Sequence, residues 1–219
     1  MISDVLKADI DGYVGNLRKS SRLLALAKAG ELSPAMVGRY YAGISYLISH
    51  TSSHLTLARE LAIQHGARDL AAYFEEKLRE EAGHEKWAEA DLEKLDAIFG
   101  IPMSRVPPQG AKALLQSIEA GIRTAPYLYL AYILFSEYMT VSLGPEWVDA
   151  LQTACGVPRE AQTVITRHIE LDQRHVAEGL VELDELVADP ALYEPLRKML
   201  KDNMRHFSAF CDDVCNLAA

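Results

Sequence analysis

Cysteine is scarce in this chain: Cys155, Cys211 and Cys215 are the only three among 219 residues. Three thiols do not make a disulfide framework, and Cys211 and Cys215 have no second pair with which to complete a zinc site. Basic charge is short as well. The 22 Lys and Arg face 31 Asp and Glu, a net charge of −9, which excludes a general nucleic-acid binder because phosphate contacts need basic surface. Alternating strand patterns, internal repeats and low-complexity tracts are missing too. The opening "MISDVLKADIDGYVG" lacks the basic-then-apolar pattern of a signal peptide. The most apolar run, residues 126–143, starts with proline, carries Glu137 and has no basic anchors, so it reads as a buried core helix and not a membrane span. A cytoplasmic protein with neither nucleic acid nor membrane as partner is expected.

What is present is helical periodicity. Helices are expected over 3–29 with a bend near Gly15, 34–64 behind a Ser33 cap, 68–99, 111–123, 126–143, 146–154 and 159–188, with a last one opened by "DPALYE". The connections are short, "MSRVPPQG" among the longest. These features predict an all-α fold, a single bundle of seven or eight helices forming one domain over 1–219.

The chemistry lies in three segments. "TRHIELDQRH" places His168, Asp172 and His175 four and three residues apart; at about 100° per residue all three fall within roughly 60° of one another. "EEAGHEKW" holds Glu81 and His84 at i, i+3, a carboxylate–histidine element that bundle proteins use to hold two metals. Glu137 is a lone carboxylate in the apolar "LFSEYM", where burial demands a proton, a partner or a cation. Each segment alone has an ordinary explanation: a solvated face for Glu81 and His84, an arginine such as Arg39 or Arg123 for Glu137, a surface stripe for the other three. Together they form a set of three carboxylates and three imidazoles on three helices, suited to iron or manganese, with zinc possible. His168, Asp172 and His175 are expected to face one metal, and Glu81, His84 and Glu137 the other, with a carboxylate bridging.

In the order and spacing of "EAGH", "SEYM" and "HIELDQRH", most of the chain resembles the haem-oxygenase-like diiron oxidases and oxygenases. That resemblance implies a haem-oxygenase-like bundle, usually a homodimer, that holds two irons, the second loosely, and activates dioxygen with an external electron donor. It assigns Glu81, His84, Glu137, His168, Asp172 and His175 as metal ligands and catalytic centre. Some members carry a carboxylate at the position of Lys77; here Glu81 must serve instead. Family reactions include N-oxygenation of amines, oxidative C–C cleavage of amino acids and decarboxylation of fatty acids to terminal alkenes.

The alternatives are a metal-free TenA-like enzyme, for which no cysteine is suitably placed, and a non-enzymatic metal-binding bundle. Haem oxygenase activity is disfavoured because no histidine precedes His50. His50 and His54 read as hydrogen-bonded or pocket-lining residues, and His65 and His206 as structural. Polar groups on the second helix (Ser45, Ser49, His50, Ser53 and His54) and the abundant tyrosines favour a small amine or amino acid as substrate, with Arg39 or Arg123 available to hold a carboxylate.

Overall fold

A computed structural model describes residues 1–216. Ten α-helices account for most of them: α1 Ile2–Ser20, α2 Arg22–Ala29, α3 Pro34–Ser49, α4 Thr51–Gln64, α5 Arg68–Glu80, α6 Glu85–Phe99, α7 Gln109–Thr124, α8 Tyr129–Thr153, α9 Thr163–Leu186 and α10 Tyr193–Cys215. There is no strand among the described residues. Breaks and one merger account for the difference from the expected helices. The first expected helix breaks at Ser21, whose extended backbone and side chain cap α2, and not at Gly15. The second breaks at His50. The third breaks at residues 81–84, where Gly83 takes φ +89, a left-handed conformation that glycine adopts without a Cβ clash. In the other direction, the two helices expected over 126–154 are one, α8, with Pro145 inside it.

The bundle pairs α8 with α9, α7 with α10, α4 with α5 and α3 with α6. Apolar residues at helical spacing make these seams. On α7, Leu114, Ile118 and Ile122 are buried in a stripe. Close approach is set by glycine: a Cβ on Gly110 would lie 2.4 Å from the Phe210 backbone nitrogen of α10, and one on Gly144 2.7 Å from Ile169 of α9. The second contact holds α8 against α9, so that Glu137 and the α9 histidines share one interior. Among the described residues no helix is long and apolar enough to cross a membrane.

Candidate metal centre

The start of α9 is fixed by a buried acid. Asp91 of α6 is fully buried and its Oδ2 accepts the Val164 backbone N–H at 2.7 Å, satisfying a donor left free at the helix N-terminus. One turn later His168 donates Nδ1–H to the Val164 carbonyl at 2.6 Å. That bond fixes the ring and leaves Nε2 for a ligand's role, the outer-sphere arrangement common to metal-bound histidines.

His168 therefore points at α5 and the turn that follows it. Glu81 Oε2 lies 3.0 Å from His84 Nδ1 and 3.9 Å from His168 Nε2. The two imidazoles meet edge to face at 4.9 Å, and Trp87 stacks on His84 at 4.0 Å with Arg167 over the indole at 4.7 Å. Glu81 and His84 are not on one helix as expected. The Gly83 turn between them brings the side chains together.

The remaining three make a second cluster. His175 Nδ1 lies 3.3 Å from Asp172 Oδ1 and 3.7 Å from Glu137 Oε1, and all three residues are buried. Gly179 faces the Glu137 carboxylate, where even a methyl group would approach to 3.9 Å. In each cluster, Glu81–His84–His168 and Glu137–Asp172–His175, the donor atoms lie within 4.8 Å of one another.

All six expected ligands thus gather into two trios, but the grouping differs from the expectation. His168, Asp172 and His175 share a stripe without sharing a site. Seven residues of α-helix span about 10.5 Å along the axis, more than one coordination sphere of ~2 Å bonds encloses. His168 therefore joins α5 and the turn, while Asp172 and His175 join α8.

The electrostatics of the trios diverge. Burial pushes the Glu81 carboxyl up, but the His168 and His84 imidazoles beside it outweigh this and hold it well below the usual carboxylate range. Burial alone would lower His168, yet Glu81 and Asp172 raise it overall. Surroundings that draw a proton onto His168 Nε2 also draw a metal ion, which displaces that proton on binding. In the second cluster burial pushes Glu137 up to about 7, against the opposing Lys77 ammonium. His175 is raised, chiefly by the Asp172 carboxylate 3.3 Å from its Nδ1.

Each trio offers donor types found around divalent cations. Glu81, His84 and His168 are two imidazoles and a carboxylate. In the second, Asp172 Oδ1 and His175 Nδ1 are buried 3.3 Å apart without a well-formed hydrogen bond.

Two neighbours were missed in the sequence. The partner of Glu137 is Lys77, at 3.0 Å, and neither Arg39 nor Arg123; Arg123 pairs with Glu119 on the surface. Glu80 lies 3.4 Å from Lys77 and 3.6 Å from His175 Nε2. The signal for Lys77 was its register, since Leu70, Phe74 and Lys77 fall on the buried stripe of α5.

A cavity of about 220 Å³ adjoins both trios, with Lys77, Glu81, Glu137, His168 and Asp172 in its wall. The rest of the wall is mostly apolar, including Leu24, Ile44, Leu47, Leu55 and Phe135. Tyr40, Tyr129 and Tyr132 line it as expected of some tyrosines, but Ser45, Ser49, His50, Ser53 and His54 do not. Cys211 reaches the wall as well, though burial pushes its thiol far up, the opposite of an activated nucleophile.

No protein-family model and no curated protein matches this chain. Solved structures do. A domain of unknown function with a haem oxygenase-like fold from Shewanella denitrificans OS217 superposes with a TM-score of 0.84 at 16% identity, covering 97% of this chain and 91% of the other. A TenA homologue from Pseudomonas syringae pv. tomato gives 0.73 at 14%, covering 98% and 92%. A CADD-like protein of unknown function from Nostoc punctiforme PCC 73102 gives 0.69 at 16%, covering 97% and 96%. At such identities the likeness concerns the backbone alone, and on that ground the chain has a haem-oxygenase-like fold.

Proposed function

We propose that this chain is a non-haem iron oxidoreductase that uses dioxygen to oxidise an apolar substrate. One observation carries the reading: Glu81 and His168, members of a two-histidine, one-carboxylate trio, stand in the wall of a largely apolar cavity. That donor set with open positions is characteristic of non-haem iron(II) oxygenases. The ligand order along the chain, which resembles the haem-oxygenase-like diiron oxidases, supports the same class. Manganese suits the same donors.

Bound ferrous iron would supply electrons and open positions for dioxygen. The chain's own residues would do the rest. Glu81, His84 and His168 hold the ion, and the Val164 carbonyl fixes the His168 ring. The apolar wall orients the substrate and keeps water out. Glu137, with a carboxyl pushed up to about 7, is suited to hold or release a proton at the cavity wall near neutral pH. Reducing equivalents from an external donor and the pairing of two chains belong to the proposal.

The lining favours a fatty acid or another hydrocarbon-rich molecule over the small amine or amino acid expected from the second helix. The residues behind that expectation lie outside the wall, and Lys77 is its one lysine or arginine. The volume, about 220 Å³, exceeds the roughly 150 Å³ in which an apolar cavity admits benzene.

The test is anaerobic loading with ferrous iron, then stopped-flow absorbance on mixing with oxygenated buffer, with fatty acids, amines or amino acids present. A transient visible band accelerated by fatty acids is the expected result. Acceleration by amines alone would overturn the substrate class, and no iron uptake would overturn the whole reading.

A further inference from the structure

We propose that the Lys77 ammonium is the resident cation of the second cluster, so that this chain takes one divalent metal ion, at Glu81, His84 and His168, and not two. The inference rests on the reading of the first trio as a metal site.

Lys77 is 5% exposed, and its Nζ donates to Glu137 Oε1 at 3.0 Å and lies 3.4 Å from Glu80 Oε2. Glu137 Oε1 is the same oxygen that faces His175 Nδ1. An ion bound to Glu137 Oε1 at the usual ~2 Å would therefore sit beside a fixed positive charge. In a buried site that repulsion is poorly screened. Lys77 borders the cavity, but its ammonium is held at the second cluster by two carboxylates. Its stem lies on the buried stripe of α5 with Leu70 and Phe74, and its ammonium is 5.9 Å from the centre of the Tyr73 ring. Arg174, at 3.3 Å from Glu80, adds a second positive group to this side.

The first trio differs in the respect that matters. Among the described residues no lysine or arginine pairs with Glu81; its neighbours are the two imidazoles, whose protons a metal displaces. One cluster is free to take an ion, while the other already holds a cation covalently tethered to the chain.

The experiment is equilibrium dialysis of the chelator-stripped chain against Mn²⁺, with bound metal quantified and the EPR spectrum recorded. The wild-type chain is expected to bind one ion per chain with the spectrum of an isolated ion. Lys77→Met should bind two, with the broadened spectrum of neighbouring ions, and Lys77→Met combined with Glu137→Gln should return to one. Two ions in the wild-type chain would overturn the inference, whether or not the variants fold, and leave the metal reading standing. One ion in a folded Lys77→Met chain would also overturn it. No ion in the wild-type chain would overturn the metal reading itself.

Discussion

Glu81, His84 and His168 place two imidazoles around one carboxylate, whereas Glu137, Asp172 and His175 place one imidazole between two. The first trio balances its charge internally: Glu81 is held ionised by its two histidines. The second has an excess of negative charge in a buried place, and Glu80 adds to it. An unpaired buried carboxylate is costly, so the acid-rich trio needs a cation whether or not a metal is bound, and Lys77 provides it. The difference teaches that two clusters of similar donors need not be two equivalent metal sites.

The largest effect that would sharpen this contrast concerns stability. Lys77→Ala should cost the metal-free chain about 3 kcal/mol, the lower end for removing one partner of a buried pair, because Glu137 is able to take up a proton. The combined Lys77→Met and Glu137→Gln chain should recover most of that. Urea unfolding in chelator measures both, and an unchanged midpoint for Lys77→Ala would mean that the second cluster does not depend on its lysine.

Metal affinity separates the trios next. His168→Ala should weaken Mn²⁺ binding more than about 100-fold, beyond the range typical of outer-sphere changes, with helix content preserved by circular dichroism. His175→Ala should weaken it less than about tenfold. Equal losses would break the distinction between the sites.

The two glutamates should also tilt the pH dependence of metal-free stability in opposite directions. Glu81 lies below its ordinary value of 4.5 in the fold. Its contribution is present above about pH 4.5 and lost as the pH falls toward the folded value. Glu137 is raised from 4.5 to about 7, so the fold loses stability as the pH rises through that window. Glu81→Gln should therefore flatten the acid side of the profile and Glu137→Gln the side between 4.5 and about 7, read from urea midpoints across pH. Parallel slopes for the two variants would contradict the assignment.

The smallest effect tests the turn that builds the first trio. Gly83→Ala should cost about 1–2 kcal/mol, since Gly83 holds φ +89. It should also weaken Mn²⁺ binding at the first trio while leaving the Lys77–Glu137 pair intact. A stabilised Gly83→Ala chain would show that residues 81–84 prefer the continuous helix expected from their spacing.

Much of this protein was legible in the residues. The 3.6-residue periodicity, the Ser33–Pro34 start signal and the short connections determined an all-α bundle, because apolar stripes on helices must be buried against one another. The six ligand candidates were legible as well, since carboxylates and histidines recurring at i, i+3 and i+4 fall on common faces, and Glu137 stood out against an apolar helix. Other features depended on contacts between helices. Angular spacing says which residues share a face but not which lie at the same height as a neighbouring helix, so the division of the six into trios was decided by how α9 is anchored through Asp91 and pressed against α8 at Gly144. The cavity wall was likewise set by packing, which turned His50 and His54 away and gathered leucines from six helices. Lys77 lies between these cases. Its place on the buried stripe was written in the sequence, but only the tertiary structure brought its ammonium onto Glu137, because a buried charge is paired by whatever group the fold places within reach.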